Sequence, residues 1–142
     1  MRSGNGRGGG TMWRFAAAGL LILVCGVRLV GAVAMLLRGA AVSDEVLAGD
    51  LSVRALGVLM LVIASVGVRA GIGLLSRADP WWKVGVWATA ALWADGVLNG
   101  FVLFGAPRPG GQVLNAIVAI VLIASLVWVG RRSGAERTGG QT

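Results

Sequence analysis

Four apolar runs of about 20 residues or more decide what this chain can fold into, because that is the length an α-helix needs to cross a bilayer. They lie at Phe15–Leu37, Arg54–Leu75, Trp81–Phe104 and Gln112–Val129, and together take up most of the 142 residues. With 56% hydrophobic and 13% charged residues, too few polar side chains remain to cover a water-facing globule. The expected fold is all-α: an antiparallel four-helix transmembrane bundle of up-down topology. Short turns force successive helices to reverse and lie side by side.

Around the spans, residues 1–12 and 133–142 are Gly-rich and polar and are expected to be disordered tails, the first of them basic. The membrane domain then covers 13–132. The connection at 38–53 carries Asp44, Glu45 and Asp50. Ser43 followed by two acids reads as a helix N-cap, predicting a short interfacial helix over Asp44–Ala48. Asp79-Pro80 suits the N-cap and first residue of the third span. The run Gly105–Gly111 cannot continue a helix. Against a first span stands a signal-peptide reading, in which Ala32-Val33-Ala34 is a small-x-small cleavage site. Arg28 fits that reading poorly, and apolar character resumes through Leu37.

Basic residues set the orientation. Arg2, Arg7, Arg14, Arg77, Lys83, Arg131, Arg132 and Arg137 fall on one side; Arg38, Arg54 and Arg108 fall on the other, with the loop acids. The positive-inside rule therefore puts both termini in the cytoplasm and the chain in the cell's inner (plasma) membrane. Trp13, Trp81, Trp82 and Trp128 fall at the same interface, as an aromatic belt requires. The net charge of +7 does not signal nucleic acid, since the basic residues punctuate span ends and line no single face.

The third span holds the chemistry. Asp95 interrupts an otherwise apolar segment, and Asn99 follows one turn later on the same face. An ionisable group there is costly without a partner or a wet cavity, so it marks a candidate site. At 1.5 Å per residue, Arg28 lies about 3 Å and Asp95 about 4 Å beyond the middle of their spans, on the same side. A pair between them across a helix interface is expected. Asn99 and Asn115 match at a shallower level, about 9–10 Å out, and are expected to hydrogen-bond between helices. Together Arg28, Asp95, Asn99 and Asn115 form the candidate intramembrane polar site. Arg69 is expected to snorkel. Gly67-x-x-x-Gly71 and Gly96-x-x-x-Gly100 are small-residue faces for close helix packing. Trp87 and Trp93 lie deeper than a belt and are expected to pack within the bundle or against a partner.

There is no His, no Tyr and a single Cys, Cys25, so the usual sets for nucleophilic catalysis, metal binding and haem ligation are missing. No catalytic residue, metal or cofactor is expected. Gly26–Arg38 echoes Gly67–Arg77, each with Gly-Val-Arg and a closing Arg, in too few residues of common types to define an inverted repeat.

At Leu74-Leu75-Ser76-Arg77, followed by Pro80-Trp81-Trp82-Lys83 and a Gly/Ala/Val-rich helix, the chain resembles small, uncharacterised four-span bacterial membrane proteins. That resemblance implies no activity. Small multidrug transporters are expected to carry a Glu in the first span, absent here, and the Asn- and Phe-containing signature of fluoride channels is not found. The leading expectation is a non-enzymatic membrane protein whose partners are the lipid bilayer and another membrane protein or copies of itself. The alternative is a small oligomeric transporter or channel using Arg28 and Asp95. A membrane enzyme using Asp95 and Asn99 on a lipid comes third.

Overall fold

The computed structural model describes residues 7–77, 79–106 and 109–138. They form four long helices, α1 (Arg7–Arg38), α2 (Asp50–Ser76), α3 (Trp81–Phe104) and α4 (Pro109–Thr138), and no strand is found among them. Each of the four is long and apolar enough to cross a membrane. They pack as a bundle in which each helix touches its neighbour in sequence and α4 returns to α1.

The core is made of small and branched side chains. One cluster, built on Ala18, Leu21, Cys25, Leu74, Leu122 and Leu126, fills the half nearer the start of α1. A second, on Ala32, Met35, Val53, Met60 and Leu103, fills the other half. The α1–α2 seam is tight because Gly67 and Gly71 lie directly against α1. A Cβ on Gly67 would run into Cys25, and one on Gly71 would strike Ile22 and come within 3.2 Å of the Ala18 carbonyl. The Gly67-x-x-x-Gly71 pattern is thus a close-approach face, as small residues allow between helices in lipid. Ala32, at the small-x-small match, is buried within α1, six residues before its end.

Several boundaries differ from the sequence reading. Residues 7–12 and 133–138, expected as tails, continue α1 and α4; 1–6 and 139–142 lie outside the described residues. Ring contact between Trp13 and Trp128, with centroids 5.3 Å apart and planes at 75°, holds these two helix ends together. The predicted helix over Asp44–Ala48 does not form. A short 3-10 turn at Gly39–Val42 is followed instead by an irregular segment in which the Leu47 N–H donates to the Leu103 carbonyl at 2.7 Å. That bond, with Val46 and Ala48 packed on the second cluster, pins the loop to the end of α3 in place of an internal helical bond. Ser43 Oγ still accepts from the Glu45 N–H, at 3.4 Å, closing a turn and not a helix.

Asp50 ties the α1–α2 connection by accepting from Arg54 at 2.7 Å and from the Ala40 N–H at 3.0 Å. Arg54 also reaches the Leu36 carbonyl at 2.8 Å, satisfying one of the acceptors that a helix end leaves open. Pro80 occupies the N-cap position of α3, one place earlier than expected, with no side-chain cap. α3 ends at Gly105, in the left-handed region at φ 71° that glycine adopts most readily. Pro109 opens α4, where its missing N–H costs nothing.

Outside the core, apolar side chains face outward along every helix, from Leu23 and Val30 on α1 to Ile120 on α4. Trp87 is 76% exposed, so it does not pack inside the bundle but stands on its outer face. Trp93 is also exposed.

Candidate functional site

Asp95, Gly96 and Asn99 are neighbours on the surface of α3, with Asp95 buried and Gly96 against Asn115 of α4 and Arg28 of α1. Asp95 is 3% exposed. Its Oδ2 accepts from Asn99 Nδ2 at 2.9 Å, the bond that i,i+4 spacing on one helix favours. Arg28 comes from α1, is half-buried, and donates from Nη2 to Asn115 Oδ1 on α4 at 2.6 Å. Its guanidinium also lies over α3, since a Cβ built on Gly96 would be 3.5 Å from Nη2. Gly96 leaves room for Asn115, since the same Cβ would displace its Nδ2.

The four predicted residues therefore gather in one place, but with exchanged partners. Among the described residues no hydrogen bond or ion pair joins Arg28 to Asp95, and Asn99 does not bond Asn115. Counting residues fixes depth but not rotation about the helix axis. Asn99 lies one turn from Asp95 on the same face and reaches it first. The long Arg28 side chain spans the difference in level to Asn115. Gly100 is buried.

Gln112 belongs to the site and was not singled out from the sequence, where it marked only the start of the fourth span. Its Nε2 donates to the Gly96 carbonyl at 3.2 Å. Its signal was there to find, three residues before Asn115 and hence on the same helix face. Three buried acceptors in this cluster have no donor: Asp95 Oδ1, Asn99 Oδ1 and Gln112 Oε1.

Above the cluster, α1 and α4 part to leave a cleft of about 400 Å³, lined by Leu23, Val24, Val27, Leu114 and Val118 around Arg28 and Asn115. Leu23, Val27 and Leu114 are exposed, so the cleft opens sideways from the bundle. A guanidinium fixed at the floor of an apolar cleft can hold an anionic or hydrogen-bond-accepting group that arrives from the membrane plane. Thr89, the other buried polar residue near this level, is satisfied within α3 by donating to the Gly85 carbonyl at 2.8 Å. Among the described residues no three His, Cys, Asp or Glu side chains gather to hold a metal ion.

Arg69 is exposed, its guanidinium 5.8 Å from the Trp81 ring at the end of α2, which is the direction snorkelling takes it.

No protein-family model matches the chain, and no curated protein or solved structure shows significant similarity to it.

Proposed function

We propose that this chain is a four-span protein of the cell's inner membrane that acts without catalysis, by associating sideways with another membrane protein or with copies of itself. The observation that carries this reading is the α1–α4 cleft, which opens sideways and holds a half-buried Arg28 between apolar walls. Trp87, exposed on the outer side of α3, offers a second surface suited to helix contact. The proposed arrangement is antiparallel and up-down, with both termini in the cytoplasm. Contacts at each end support the antiparallel order: Arg14 reaches the Leu75 carbonyl at 3.4 Å, Trp13 meets Trp128, and Arg54 reaches the Leu36 carbonyl. Of the basic residues that support this orientation, Arg2 and Arg108 lie outside the described residues. The resemblance to small four-span bacterial membrane proteins is part of the same proposal.

A second reading, a small oligomeric transporter or channel working through Arg28 and Asp95, is favoured by the unpartnered acceptors on Asp95, Asn99 and Gln112. Buried polar atoms without donors are costly in hydrocarbon and mark sites that take a ligand or water. One preparation separates the two. Extracted from its native membrane in mild detergent, the chain is expected to sediment with another protein or as an oligomer. The same material in vesicles is expected to show no ion flux. A lone chain contradicts the association reading, and flux abolished by Asp95→Asn or Arg28→Gln replaces it with the transport one.

A further inference from the structure

At the end of the bundle where α1 begins and α4 finishes, the charged side chains among the described residues are almost all positive. Arg14, Arg69, Arg77, Lys83, Arg131 and Arg132 gather there, with Asp79 beside Lys83 at 3.9 Å. The aromatic side chains place this end at the membrane surface. Trp13 and Trp128 are in contact, Trp81 covers Gly73 of α2, and Trp82 covers Gly130 of α4.

Between α1 and α4 at this level is a pocket of about 60 Å³, lined by Thr11, Arg14, Trp128 and Arg132 among others. Arg132 stacks 3.8 Å over the Trp128 ring, which fixes its guanidinium plane. Arg14 Nε is buried without a hydrogen-bond partner; Nη2 makes a long bond to the Leu75 carbonyl, and the guanidinium lies 5.5 Å from the Phe15 ring. Among the described residues no ion pair engages either arginine. Two guanidiniums without ion-pair partners, lining one pocket from adjoining helices, offer phosphate oxygens the forked donors they bind well.

A second feature starts at the same Trp128. An open apolar groove runs down α4 along Val127, Ala124, Ile123 and Ile120, with Arg131 at its upper end. From Trp128 to Ile120 is about 12 Å of helix, most of the hydrocarbon depth of one leaflet. A free phosphate ion has no use for such a groove; an acyl chain does.

We propose that this end of α1 and α4 binds an anionic phospholipid, with its phosphate between Arg14 and Arg132 and an acyl chain along the α4 groove. The inference goes beyond lateral association and does not depend on the Arg28 cleft. A headgroup carrying its own cation, such as choline, gains less here, since it sets a positive charge among six others.

The test uses the full chain in mild detergent, titrated with phosphatidylglycerol, phosphatidylcholine or inorganic phosphate and read by native mass spectrometry and thermal unfolding. Phosphatidylglycerol is expected to stay bound and raise the melting temperature, with the other two having little effect. Replacing both arginines, Arg14→Gln with Arg132→Gln, is expected to weaken its binding by at least about tenfold, the loss of two charge-assisted contacts. Ala124→Phe, at an exposed position in the groove, is expected to weaken it as well without lowering the melting temperature of the lipid-free protein. Equal retention of both lipids, equal binding by the double variant, or an equal shift with inorganic phosphate overturns the proposal, the last by making the site one for a free anion.

Discussion

Replacing Arg28 by Ala is expected to lower the stability of the bundle by about 3 kcal/mol, the most of any single change to a polar residue in the spans. The substitution removes the donor that Asn115 Oδ1 accepts from and takes away the cation lying against α3 one residue from Asp95. In water such losses are softened by solvent. In hydrocarbon they are not, and an uncompensated acid remains on the inner face of α3. The diagnostic result lies in the double variant. Adding Asp95→Asn to Arg28→Ala removes the stranded charge while leaving a group of the same shape beside Asn99, and is expected to recover about 2 kcal/mol. Unfolding in mixed micelles, measured for both single variants and the pair, yields the coupling. Strictly additive losses would mean that Arg28 and Asp95 do not sense each other.

The second large effect falls on packing. Gly71→Leu is expected to cost about 3 kcal/mol by unfolding in the same micelles, because the added side chain meets Ile22 and the Ala18 backbone carbonyl, and backbone cannot step aside. Gly26→Leu, on α1 in the same bundle, is the matched control. Nothing lies within 4 Å of a Cβ built there, so the change is expected to be close to neutral. If the two variants unfold alike, the α1–α2 seam is not the close contact described.

How much of this could be read from residues alone follows from what each signal encodes. Apolar length is a one-dimensional property, so the four spans were legible. Their ends were less so. Gly8–Thr11 has little helix preference of its own, yet α1 runs through it, because elongating a formed helix costs far less than starting one and Trp13 is tied to Trp128. The loop helix over Asp44–Ala48 failed for the opposite reason. Its local capping pattern was sound, but a single tertiary bond from Leu47 to Leu103 outweighed it.

The polar site was half legible in the same sense. Depth along a span comes from counting, and it brought Arg28, Asp95, Asn99 and Asn115 to one region. Which of them bond depends on the rotation of each helix and the reach of each side chain, and neither is written in spacing. Arg28 therefore found Asn115, and Asp95 found its own neighbour Asn99. Gln112 escaped notice because it sits at a span end, where a polar residue asks for no explanation. The outward Trp87 shows the limit of soluble-protein habit: in lipid, a large ring on the surface is at home.

The most direct test of the intramembrane polar site is solid-state NMR of the chain in lipid vesicles, with guanidinium nitrogens and side-chain amide carbons labelled. A dipolar contact between an arginine nitrogen and the Asn115 carbonyl carbon, lost in Arg28→Gln and shielded from water, is the expected result. An Arg28 side chain in contact with water or headgroups, with no such coupling to Asn115, would contradict the account.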